Sequence, residues 1–101
     1  MGYRTRGEIK LDILQYIYDG TAGSTKYQIS KRELRTNLGL GKNITAILRE
    51  LTQSNFLIHE PVPQKGKEAE DIANFYRLSK DGLKIVIESQ DLIRRLLFKL
   101  T

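Results

Sequence analysis

The tetrapeptide Ser30-Lys31-Arg32-Glu33 reads as a capping box. The Ser30 hydroxyl is placed to accept from the Glu33 amide, and the Glu33 carboxylate to reach back to the Ser30 amide. The helix it opens is short, to about Asn37, and buries Leu34 and Leu38. Gly39 and Gly41 flank Leu40 in a tight turn that ends it. A second helix follows at once, from about Lys42 to Ser54, with Ile44, Ile47, Leu48 and Leu51 on one face. Two short helices joined by a glycine turn are the feature that most restricts how this chain folds.

The flanking segments fill in the frame. From about Arg6 to Tyr18, Ile9, Ile13 and Ile17 recur every four residues, with Leu14 and Leu11 widening the stripe, so an amphipathic helix is expected there. Asp19-Gly20 stops it, and Thr21 to Ser24 continues as a loop. Tyr27-Gln28-Ile29 alternates but has length only for a very short strand. Asn55 falls where the helix before it needs a left-handed residue. Phe56 to Glu60 and Phe75 to Leu78 are strand candidates, expected to pair as a hairpin around an exposed polar loop from Pro61 to Asn74. Ser79 caps a last helix that continues almost to Thr101, weakened by about 1 kcal/mol at Gly82. The expected class is α+β, mostly helical, in the order of a winged helix-turn-helix (helix-strand-helix-helix-strand-strand) followed by a long C-terminal helix. Residues 1–78 form the winged unit and 79–101 the final helix.

Composition narrows the function. A chain of 101 residues with 40% hydrophobic content supports one domain with a real core. It has no Cys and one His, which removes disulfides, thiol chemistry and Cys-based zinc sites. No carboxylate pair or nucleophile–base arrangement stands out, so catalysis is not expected, nor is a cofactor, a metal or a small-molecule ligand. No run approaches the roughly 18 apolar residues of a membrane span, and no apolar signal core follows the basic start. A cytoplasmic, nucleoid-associated domain is expected. Gly39-Leu40-Gly41-Lys42 lacks the spacing and the Ser or Thr of a phosphate loop. Asn43-Ile44-Thr45 matches a glycosylation triplet but lies in an expected helix. His59 reads as a strand residue, and the five Tyr as core-edge or boundary residues.

The charge is unevenly placed. Between Lys26 and Arg49 there are six basic residues and one acid, Glu33. The rest of the chain carries 11 basic and 11 acidic residues, so the whole net charge of +5 sits in this central segment. Such a patch is the electrostatic footprint of a nucleic-acid binder.

The run Ile29 to Leu51, ISKRELRTNLGLGKNITAILREL, resembles the helix-turn-helix of small archaeal winged-helix transcriptional regulators. Leu51-Thr52-Gln53-Ser54-Asn55-Phe56-Leu57-Ile58 resembles that family's passage from recognition helix into wing, with Asn55 where Gly is usual. Tyr76-Arg77-Leu78-Ser79-Lys80-Asp81-Gly82-Leu83 resembles its Tyr-x-Leu-Thr-x-x-Gly junction, with Ser79 in place of Thr. The resemblance covers most of the chain. It implies that the third helix enters the major groove of double-stranded DNA, presenting Lys42, Asn43, Thr45, Ala46, Arg49 and Gln53 to base edges. Lys26, Lys31, Arg32 and Arg35 would meet phosphates, as would Arg4 and Arg6. Gln64, Lys65 and Lys67 form a candidate wing tip. Glu68, Glu70 and Asp71 follow directly, so either the acidic half bends away or the wing contributes little.

In the last helix Leu83, Val86, Gln90, Ile93, Leu97 and Leu100 follow heptad spacing, with Ile85, Leu92 and Leu96 beside them. A helix of about 20 residues is about 30 Å long and must overhang a core this small. The expected dimer interface, a coiled coil between two chains, comprises Val86, Gln90, Ile93, Leu96, Leu97 and Leu100. The leading expectation is a homodimeric DNA-binding transcriptional regulator. The alternatives are a chromatin-type protein of low sequence specificity and a winged-helix protein-interaction module.

Overall fold

The computed structural model describes residues 5–63 and 72–100. Four helices and a three-stranded antiparallel sheet follow in the order α1 (Arg6–Gly20), β1 (Ile29–Ser30), α2 (Lys31–Asn37), α3 (Ile44–Gln53), β2 (Leu57–Pro63), β3 (Ile72–Leu78) and α4 (Lys80–Leu100). β3 is the central strand, in the order β1-β3-β2.

Local chemistry sets the element ends. Thr5 caps α1, its hydroxyl accepting from the Glu8 amide at 3.1 Å. The helix runs through Asp19 and Gly20, two residues past the expected stop. Thr21 closes it, with its hydroxyl donating to the Ile17 carbonyl at 2.7 Å. Ala22 and Gly23 then take positive φ. Ser30 caps α2 as the sequence predicts, accepting from the Glu33 amide at 3.1 Å. The other half of the capping box differs: the Glu33 carboxylate accepts from the Tyr16 hydroxyl at 3.0 Å, tying α2 to α1. α3 begins two residues later than expected, and Asn43 precedes it without a side-chain capping bond. Asn55 adopts φ 66°, the left-handed turn that aims the chain from α3 into β2.

The hairpin is longer than expected. β2 extends to Pro63 and β3 starts at Ile72, paired through Pro61↔Asn74 and Pro63↔Ile72, so both ends of the segment expected as a loop from Pro61 to Asn74 are strand. The two prolines are tolerated because β2 is an edge strand: their missing donors lie on the side with no neighbour.

One core joins every helix to the sheet. Ile13, Ile17, Leu34, Ile44, Leu48, Leu51, Leu57, Leu78 and Val86 are fully buried. Each such side chain contributes about 1.5–3 kcal/mol by leaving water. Val86, expected at a dimer seam, therefore lies inside the chain's own core, and Leu83 and Ile85 pack against the same cluster. The first half of α4 thus shares the core of the winged unit. Ser79 fastens this junction: its hydroxyl donates to the Asn55 carbonyl at 2.5 Å and accepts from the Gly82 amide at 3.0 Å. Gly82 is close-packed, since a Cβ there would fall 2.1 Å from the Phe56 carbonyl oxygen. Beyond Gln90, which donates to Gln15 of α1 at 3.4 Å, residues 91–97 are all exposed. Tyr27, expected at the core edge, is 70% exposed.

Candidate nucleic-acid interface

α3 buries Ile44, Ile47, Leu48 and Leu51, which leaves its opposite face free. Thr45, Ala46, Arg49 and Gln53 are exposed on that face, and Lys42 and Asn43 are exposed just before it. On α2, Arg32 and Arg35 are exposed and Lys31 is half-buried. The fold therefore brings most of the basic central segment onto two neighbouring helices. Lys26 is exposed ahead of β1, where its amide donates to the Ser24 hydroxyl at 2.9 Å. Arg4, Gln64, Lys65 and Lys67 lie outside the described residues.

Arg6 is engaged elsewhere. Its guanidinium donates two bonds to Glu50, at 2.9 and 2.7 Å, and Lys10 adds an ion pair at 3.0 Å. The Arg6 and Lys10 bonds hold the Glu50 carboxyl below the usual carboxylate range. The phosphate role expected of Arg6 competes with this fork, which connects α1 to the middle of α3. Arg77 is likewise taken up, bonded to Glu60 across the hairpin and donating to the Thr25 carbonyl at 3.0 Å.

An open groove of about 280 Å³ runs beside α3. Lys31 of α2 and Thr45, Arg49, Thr52 and Gln53 of α3 form one wall, and His59, Asn74 and Tyr76 of the hairpin form the other. His59 and Tyr76 are register partners, and their rings stack at 4.8 Å and 15°. His59 Nε2 lies 2.8 Å from Asn74 Oδ1. Burial pushes the Tyr76 phenol above its ordinary range, while the charge of Arg49 pulls it back. Sequence reasoning did not find this hairpin wall. His59, Asn74 and Tyr76 come together only through the β2–β3 register, and Asn74 lies at the end of the segment whose composition predicts a loop.

No group of three or more His, Cys, Asp or Glu among the described residues is placed to hold a metal ion. No described helix is long and apolar enough to cross a membrane. On α4, Leu92, Ile93, Leu96 and Leu97 are each more than half exposed, and Gln90 is half-buried against α1. Leu100 ends the helix.

No protein-family model matches the chain, and no curated protein matches it in sequence. In three dimensions it is similar to the crystal structure of a PadR-family transcriptional regulator from Eggerthella lenta DSM 2243. The TM-score is 0.61, over 94% of this chain and 76% of that one, at 17% sequence identity. The likeness is one of fold. It agrees with the helix-turn-helix and hairpin read from the sequence, and it extends through α4.

Proposed function

We propose that the protein is a homodimeric DNA-binding transcriptional regulator that reads the major groove with α3. The observation that carries this reading is the coincidence of charge and shape. The chain's excess of five positive charges lies in one segment, and the fold exposes Arg32 and Arg35 on α2, Arg49 on α3, and Lys42 just before α3. An α-helix with one exposed face fits the major groove, and flanking cations neutralise phosphates. The fold shared with a protein described as a transcriptional regulator supports the reading.

In this reading Lys42, Asn43, Thr45, Ala46, Arg49 and Gln53 face base edges. Asn43 and Gln53 suit adenine, Arg49 suits guanine, and Thr45 and Ala46 suit a thymine methyl. Lys26, Lys31, Arg32 and Arg35 contact phosphates and add affinity without sequence information. The exposed apolar stripe of α4 (Ile93, Leu96 and Leu97) pairs with the same helix of a second chain. Two copies then present two α3 helices to a pseudo-palindromic site.

Selection of bound sequences from random duplex DNA, followed by titration at several salt concentrations, tests the reading. A recovered inverted repeat, bound with affinity that falls steeply with salt, is the expected result. Binding that random competitor DNA abolishes would move the protein to a chromatin-type role. Absence of binding to any duplex at low salt would leave a protein-interaction module.

A further inference from the structure

The groove between α3 and the hairpin has a lining suited to one kind of ligand atom. Lys31 and Arg49 line it with fixed positive charge, and His59 adds an ionisable ring. No carboxylate among the described residues lines it. Two acids on the same elements are engaged: Glu50 of α3 with Arg6 and Lys10, and Glu60 of β2 with Arg77. Thr45, Thr52, Gln53 and Asn74 supply neutral polar groups. Such a site favours a singly charged, oxygen-rich anion.

We infer that this groove seats one backbone phosphate of bound duplex DNA, between Lys31 of α2 and protonated His59 as the hairpin-side contact. The inference rests on the DNA-binding reading above and adds to it a residue and a site on the hairpin. Stacking on Tyr76, itself only 8% exposed, orders the His59 ring in advance. An amide oxygen only accepts, so Nε2 donates to Asn74 Oδ1. Nδ1 of the neutral ring then carries a lone pair. A proton there turns it into a donor and makes the ring a cation.

The sign of the coupling follows from the neighbours. The charged or titratable groups sharing the groove with His59 are Lys31 of α2, Arg49 of α3 and Tyr76 of β3. A phosphate seated beside the ring favours its protonated form. DNA binding therefore takes up a proton, and affinity is greatest at low pH and declines as pH rises through the His59 midpoint in the complex. Histidine is the side chain that ordinarily changes charge between about pH 5 and 8. This chain has one His, so loss of the linkage in His59→Gln separates it from the α-amino group, which also titrates in that window.

The test measures duplex binding by fluorescence anisotropy at about pH 5.5 and about pH 8, at matched ionic strength, for the wild type and His59→Gln. It also follows the His59 ring by NMR in the free protein, with saturating duplex and with inorganic phosphate. The wild type is expected to bind about tenfold more tightly at the lower pH, the equivalent of one unit of pKa change. Its salt slope should be steeper there by about 0.9 in log–log terms, one phosphate's worth. His59→Gln should lose both effects, and duplex, but not inorganic phosphate, should raise the His59 midpoint. A variant that keeps the wild-type pH profile, or an unmoved midpoint at saturating duplex, overturns the groove assignment while leaving DNA binding intact. An equal shift with inorganic phosphate makes the groove a free-anion site and also overturns it. Failure to bind any duplex at any pH overturns both readings.

Discussion

Replacing Gly82 with Ala sets two physical effects against each other with opposite signs. Helix propensity alone makes the substitution favourable by about 1 kcal/mol, since Gly82 lies in the first turn of α4. Packing opposes it. The added methyl would sit 2.1 Å from the Phe56 carbonyl oxygen, against the 3.3–3.6 Å, roughly, of a close carbon–oxygen contact. The parts must separate by about 1.2 Å, and neither is free to move. The Phe56 carbonyl accepts from the Ser79 amide at 3.2 Å, and the Phe56 amide donates to Leu51 at 2.9 Å. Forcing atoms into a filled interior costs about 1–3 kcal/mol and sometimes more, and a backbone obstacle belongs at the upper end. The net expectation is a loss of about 2 kcal/mol, or about 8–16 °C in Tm for a chain this size. Urea denaturation at fixed protein concentration gives the free energy. Gly7→Ala is the matched control, because its methyl would meet only the Thr5 hydroxyl at 4.0 Å. That variant should gain about 0.4–1 kcal/mol. If Gly82→Ala is as stable as the wild type, the close packing of α4 against the end of α3 is refuted.

Further substitutions probe other parts. Glu50→Gln should lower Tm at neutral pH, and the difference from wild type should vanish in acid. The folded-state pKa of Glu50 is depressed, so its stabilisation is present above the ordinary carboxylate range and lost as pH falls through the folded value. A pH-independent difference would contradict the ion-pair role. Asn55→Val should destabilise by about 1–2 kcal/mol because of φ 66°, while Asn55→Gly should be near neutral; equal effects in urea melts would refute the left-handed turn. Leu97→Lys, at a position 60% exposed, should leave the melting of the isolated fold nearly unchanged. On the proposed dimeric reading it should yield a monomer in sedimentation and weaken DNA binding; a monomeric variant of undiminished affinity would break the link between dimerisation and DNA binding.

The parts legible in the sequence are those governed by short-range chemistry. The Ser30 cap, the left-handed Asn55 and the buried face of α3 each follow from residues within one turn of each other. The hairpin was less legible because Pro61 and Pro63 are breakers by composition. Their tolerance depends on β2 being the edge strand, a property of topology rather than of the dipeptides. Val86 shows the same limit on α4. Its heptad spacing does not tell an inward face from an outward one, and only the docking of α4 on α1 assigns Val86 to the core and Leu97 to the surface. Half of the candidate site, the hairpin wall of His59, Asn74 and Tyr76, depends on strand register.

The two prolines of β2 have a further consequence. Amides two residues apart on a strand point the same way, so Pro61 and Pro63 strip successive donors from the outer margin of the sheet. A foreign strand arriving there would find half a ladder missing. The sheet is thereby closed to growth at its β2 edge, and self-association through β-pairing along that margin is disfavoured. Any assembly of this chain is channelled toward its projecting last helix, and the hairpin is kept single beside whatever occupies the groove.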